Sequence, residues 1–173
     1  MKPIIKLGSR TLHSKSTPYV IAEIGVNHEG SMAQAKKLID LAREGGADAA
    51  KFQSYKADTL ASKNSPAYWD KSKESTDSQH ALFKKYDNFS EEDYVELANY
   101  CGTVGIDFLS TPFDDSAVDF LNPLMSYYKI ASADITNIPF LRKIGHKNKP
   151  VVLSTGASTI DEITAALREL EAA

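Results

Sequence analysis

The chain has 173 residues, 42% of them hydrophobic, and a formal net charge of −3. That size and balance suit one globular domain and favour neither nucleic acid nor an anionic membrane as a partner. No apolar run approaches the ~18 residues of a membrane span, the N-terminal "MKPIIKLGSR" lacks a signal-peptide core, and the single cysteine, Cys101, excludes an intrachain disulfide. Cys101 falls at the apolar spacing of a helix and reads as core, so a reducing compartment, the cytoplasm, is expected.

In chain order, "IIKLGSRTLHSK" reads as a hairpin around Gly8-Ser9. The first strand of the main fold is expected over 19–25, with Glu23 set among apolar residues. Ser31 with Gln34 opens a helix whose apolar positions are Ala35, Leu38, Ile39 and Ala42, stopped by Gly45-Gly46. "ADAAKFQ", 47–53, is the second strand. The long segment 54–89 reads as a covering loop, with Tyr68 and Trp69 among polar groups and a short helix at 79–86. Ser90 caps a helix with Tyr94, Leu97, Ala98 and Cys101 on one face. Strands follow at 106–111, 127–132 and 150–155, separated by helices after Asp114 and after Asn137, the latter with Pro139 in its first turn. Thr159 and Glu162 form a capping box before the last helix.

Alternating strands and helices imply a parallel sheet with right-handed crossovers. The strand ends "EIGVN", "KFQSY", "STPF", "KIASAD" and "STGAS" all deliver polar, chemistry-bearing residues. A site spread over many strand ends is the habit of a (β/α)8 barrel, whereas an open sheet gathers its site at one switch point. A whole barrel takes about 250 residues. The expected fold is therefore α/β of the TIM-barrel type, cut to about five βα units after an N-terminal hairpin, with residues 1–173 as one partial domain.

Lys51 and Lys129 sit in strands that should be buried, and a buried lysine needs an anionic partner. With Ser110, Thr111, Ser132, Ser154 and Thr155 nearby, they point to a phosphate or carboxylate ligand. "STGAST" leads into a helix N-terminus, which also suits an anion. Glu23 is followed by Asn27, His28 and Glu29 and reads as a site carboxylate, with His28 the one histidine near the site. His13 and His80 read as surface residues, and no histidine spacing marks a metal centre.

The motifs "IAEIGVNHEGS", "GADAAKFQSYKADTL", "FLSTPFD", "YKIASADITNIPFL" and "KPVVLSTGAS" together resemble the sialic acid synthase family, over essentially the whole chain. The resemblance implies a TIM-barrel enzyme that joins phosphoenolpyruvate to an N-acetylmannosamine-type sugar, an N-acetylated hexosamine, giving a nine-carbon 2-keto acid and phosphate. It implies Lys51, Thr111, Lys129, Ser132 and Ser154 for phosphoenolpyruvate, Glu23 as the catalytic carboxylate, and Gln53 and Phe113 on the sugar side. Asp134 stands where many relatives have glutamate. It further implies a divalent ion, manganese or magnesium, whose histidine ligands belong to strands beyond Ala173, and a homodimer completed by a C-terminal antifreeze-like domain that is also not in this chain. This length alone is expected to be inactive. Two other readings stay open at this stage: a Schiff-base aldolase on Lys51 or Lys129, and a non-catalytic anion-binding fragment.

Overall fold

The structure, a computed structural model, describes residues 4–173. Its elements are β1 (Ile5–Leu7), β2 (Arg10–Leu12), β3 (Ile21–Gly25), α1 (Met32–Glu44), β4 (Ala49–Ser54), α2 (Ala57–Leu60), α3 (Gln79–Tyr86), α4 (Glu91–Val104), β5 (Asp107–Pro112), α5 (Asp115–Leu121), β6 (Tyr128–Ile130), α6 (Ile138–Gly145), β7 (Val151–Leu153) and α7 (Ile160–Ala172). A 3-10 turn, Ser132–Asp134, follows β6. Every strand and helix expected from the sequence is present. The one-turn helix α2 was not foreseen.

β3, β4 and β5 form a parallel ladder, as do β6 and β7, and β6 lies beside β5. The result is an α/β fold with parallel strands in sequential order and helices outside them. Where the ladder breaks between β5 and β6, the Ser110 amide donates to Met125 Sδ at 3.1 Å. The central strands β4 and β5 are almost wholly buried, while β3 and β7 are partly exposed.

Local chemistry explains the boundaries. The Thr159–Glu162 capping box forms in full, and Ser90 makes one with Asp93. At α1 only half of the expected box is formed: Ser31 Oγ accepts the Gln34 amide at 3.2 Å. β6 and β7 are shorter than their apolar runs because Ala131 leads straight into the 3-10 turn and Pro150 has no amide to donate. Pro150 still contributes its carbonyl, which accepts the Tyr128 amide at 2.8 Å.

Strand alternation sends Phe52 and Phe108 outward beneath the helices, where they stack with ring centroids 5.9 Å apart. Leu97, Cys101, Leu121 and Tyr128 complete this layer with no exposed surface to speak of. Burial pushes the Cys101 thiol up to about 12, so it behaves as a small apolar side chain. Residues of the other parity face the inside of the curved sheet, and these build the site.

The β1–β2 hairpin turns on Gly8, at φ +55, and closes the N-terminal end of the strands. Asp107 at the start of β5 accepts the Ser9 amide at 2.8 Å and the Tyr19 hydroxyl at 2.5 Å. Arg10 Nη1 donates to both carboxylate oxygens of Asp48 at 2.9 and 3.0 Å, and Asp48 also takes the Val20 amide. No helix among the described residues is long and apolar enough to cross a membrane.

Candidate active site at the strand C-terminal ends

Register brings the inward residues together. Glu23 on β3 lies opposite Lys51 on β4, and Gln53 lies opposite Thr111 on β5. Lys51, with only 8% of its side chain exposed, makes an ion pair with Glu23 and donates to Thr111 Oγ1 at 3.4 Å. Glu23 itself is about half exposed and so remains reachable from solvent. Gly25 follows at φ +58, and the chain bulges between Glu23 and Gly25. A Cβ at Gly25 would come within 3.4 Å of Glu23 Oε1 and 3.6 Å of Gln53 Nε2. The bare glycine thus sits between the two polar groups in a conformation that L side chains rarely adopt.

Lys129 on β6 is the third member of this cluster. Burial, and then the positive charge of Lys51, lower its pKa, while Glu23 opposes the shift. Its ammonium donates to Ile130 O at 2.9 Å, and the same carbonyl accepts the Ser154 amide at 3.1 Å. Among the described residues Lys129 makes no ion pair of its own. Glu23 is thus the ion-pair partner of Lys51, while Lys129 feels that carboxylate only at a distance.

Ser132 and Ser154 join less directly. Ser154 is fixed next to Lys129 through its backbone, at the end of β7. Ser132 turns toward the β7–α7 loop: a Cβ at Gly156 would lie 3.3 Å from Ser132 Oγ. It lines a side cleft of about 380 Å³ with Thr136, Ser158 and Glu162.

Gln53, Phe113 and Asp134 meet in a neighbouring cleft of about 410 Å³, together with Tyr55, Leu60, Tyr68, Gln79 and Phe83. Burial raises the Asp134 pKa, and its Oδ2 is enclosed with no hydrogen-bond partner. The segment between β4 and α3 forms one wall, as its length and composition suggest. The aromatic and amide residues on that wall other than Tyr68 carry no signal in the sequence, because only the folded segment brings them to the strand ends.

Three expectations are corrected. His28 is not at the site: it is buried, stacked on Phe89 at 4.1 Å and tilted toward Phe52, on the helix side of the sheet. Its Nδ1 accepts the Gly30 amide at 3.1 Å, and burial lowers its pKa, so it serves the turn into α1 as a neutral ring. Ser110 also faces outward, where it shares a 2.7 Å hydrogen bond with Ser54. Alternation explains this, since neighbouring Ser110 and Thr111 must point to opposite faces. His80 is not a free surface residue either; it joins α3 to α2 through Asp58 at 2.8 Å.

No group of three or more His, Cys, Asp or Glu side chains among the described residues converges to hold a metal ion. These residues therefore do not fit the divalent ion that the resemblance implies, and no step below runs through one.

Fold and site define a class: a parallel α/β protein whose strand ends gather lysines around one carboxylate. The NeuB family profile matches residues 38–173, and the chain belongs to that family. It is 39% identical over 163 residues to N,N'-diacetyllegionaminic acid synthase of Legionella pneumophila, covering 92% of this chain and 46% of that protein. It is 37% identical over 144 residues to the human N-acetylneuraminate-9-phosphate synthase, covering 83% of this chain and 40% of the relative. The solved N-acetylneuraminic acid synthetase of Leptospira borgpetersenii superposes with a TM-score of 0.85 at 29% identity, covering 99% of this chain and 56% of that one. The chain thus spans about half the length of the relatives it matches.

Proposed function

We propose that these strand ends form the phosphoenolpyruvate half of a sialic acid synthase-type active site. The reaction condenses phosphoenolpyruvate with an N-acetylmannosamine-type sugar. C3 of phosphoenolpyruvate attacks the aldehyde carbon of the open-chain sugar: the enol π electrons form the new C–C bond, and the carbonyl π electrons move to the aldehyde oxygen, which takes a proton and becomes a hydroxyl. Water adds at the electron-poor C2 and loses one proton; the resulting hydroxyl gives up its remaining proton as the C–O bond to phosphate breaks, leaving the 2-keto acid and phosphate. Lys129, Lys51, Thr111, Ser132 and Ser154 hold the phosphate and carboxylate. Glu23, at the junction of the charged cluster and the 410 Å³ cleft, takes the proton of the water. Gln53, Phe113 and Asp134 face the sugar.

The observation that carries this reading is the half-buried Lys129 ammonium without a carboxylate of its own, beside an already formed Glu23–Lys51 pair. A charge held there without a partner is costly, and a bound dianion relieves the cost. These strand ends bind phosphoenolpyruvate. The protein's place of action is the cytoplasm, which the single core cysteine favours, in a homodimer, which the resemblance alone supports. Titration calorimetry should give heat with phosphoenolpyruvate. A protein that takes up no phosphoenolpyruvate would end this reading.

A second reading, a Schiff-base aldolase, draws on the same lowered Lys129 pKa, which favours the nucleophilic amine. Borohydride reduction in the presence of pyruvate separates the two: a pyruvyl adduct on Lys129 selects the aldolase.

A further inference from the structure

The segment between α2 and α3 is a self-bonded loop rather than a loose one. Trp69 Nε1 donates to Glu74 O at 3.1 Å, Gln79 Nε2 to Pro66 O at 3.0 Å, and Lys85 pairs with Glu74 at 2.9 Å. Pro66 and Ser78 form an isolated antiparallel bridge across it. Compact loops with closely spaced ends and internal packing are commonly functional.

The most buried tie at the feet of this loop is one carboxylate, beside the His80–Asp58 pair and the contacts of Asp114. Asp87 follows α3, and only 4% of its side chain is exposed. Its Oδ1 accepts Lys56 Nζ at 2.9 Å, and its Oδ2 accepts the Ala57 amide, at the start of α2, at 3.0 Å. The end of the loop is thereby tied to its beginning, 30 residues earlier. Lys56 also donates to Phe89 O at 3.1 Å, and its own amide reaches Asp114 at 3.3 Å. The loop held in this way presents Tyr68 and Gln79 to the cleft, opposite Gln53, Phe113 and the unpartnered Asp134 Oδ2.

We propose that Asp87 is a positioning residue for the acceptor sugar: by clasping both feet of the loop it sets Tyr68 and Gln79 as the far wall against which an N-acylated hexosamine is bound. The inference rests on the functional reading above. Asp87 touches neither ligand. It acts by fixing the width of the cleft, and its loss weakens sugar binding while the lysine cluster continues to hold phosphoenolpyruvate.

Trp69 is the only tryptophan of the chain and lies in the loop, so its fluorescence reports the loop directly. The experiment titrates the protein with N-acetylmannosamine and, separately, with phosphoenolpyruvate, reading Trp69 emission and calorimetric affinity. Asp87→Asn is expected to shift Trp69 emission to the red and weaken the sugar about fivefold or more, with phosphoenolpyruvate within about twofold of the parent. Asp87→Glu should recover part of the loss. Tyr68→Ala, at a position 76% exposed, should fold normally and weaken the sugar about threefold, which decides the matter if Asp87→Asn does not fold. Unchanged sugar affinity in these variants overturns the proposal, and so does a parallel loss of both ligands. A parent protein that binds phosphoenolpyruvate but no sugar also overturns it, whereas one that binds no phosphoenolpyruvate defeats the functional reading itself.

Discussion

The two ends of the strands are built to different standards. At the N-terminal end, Asp107 accepts from Ser9 and Tyr19, and Asp48 accepts two guanidinium contacts and the Val20 amide. Each of these carboxylates has a donor set of its own. At the C-terminal end Glu23 pairs with Lys51, Lys129 has no carboxylate of its own, and Asp134 Oδ2 has no partner among the described residues. One end satisfies its polar groups internally; the other leaves charge and hydrogen-bonding capacity unmet, as the proposed ligand site requires. Unsatisfied buried groups of this kind persist where function needs them.

Disturbing the satisfied end should cost the most stability. Asp107→Ala removes the acceptor for two hydroxyls and an amide and should destabilise by about 3 kcal/mol, lowering Tm by roughly 6–12 °C in calorimetry. Gly8→Ala comes next. A Cβ there would stand 1.7 Å from Asp107 Oδ2, on a residue at φ +55, so a loss of about 2 kcal/mol is expected in urea unfolding. Both variants should leave phosphoenolpyruvate affinity unchanged, and a large change in affinity would blur the contrast between the ends.

At the unsatisfied end the same kind of substitution should have the opposite sign. The folded chain releases the Lys129 proton at a lower pH than the unfolded chain. The charged form therefore costs stability below that pH, and the cost is relieved as pH rises through the lowered pKa toward 10.5. Lys129→Met should melt above the parent at neutral pH, with the gap narrowing in alkaline buffer. A smaller gain is expected from Asp134→Asn. Its raised pKa means that the ionised form costs stability in the folded chain, and the neutral amide should add less than about 1 kcal/mol after allowance for solvent. A fall in Tm for either variant would show that the end is structurally satisfied after all.

Much of this was legible before the structure. The strand–helix alternation, the hairpin at Gly8-Ser9 and the caps at Ser90 and Thr159 follow from period and local chemistry, and they came out in order. Lys51 and Lys129 could be singled out because a lysine inside an apolar strand contradicts its surroundings. Facing was less accessible. "LST" offers two hydroxyls, and only the ladder shows that Thr111 points to Lys51 while Ser110 points to Ser54. His28 stands in a turn, where no periodicity sets side-chain direction, and it went to the aromatic layer instead. The Asp87 clasp joins residues about 30 apart through a carboxylate with no motif around it, and nothing short of the fold reveals it.

The central claim is that the Lys129 ammonium is held for an anionic ligand rather than for the fold. Titration calorimetry of phosphoenolpyruvate into the parent and Lys129→Ala tests it most directly. The account predicts binding to the parent, a loss of about tenfold or more in Lys129→Ala, and a Tm for that variant at or above the parent's. Equal affinity in the two proteins, or a Lys129→Ala that binds normally but melts several degrees lower, would contradict it.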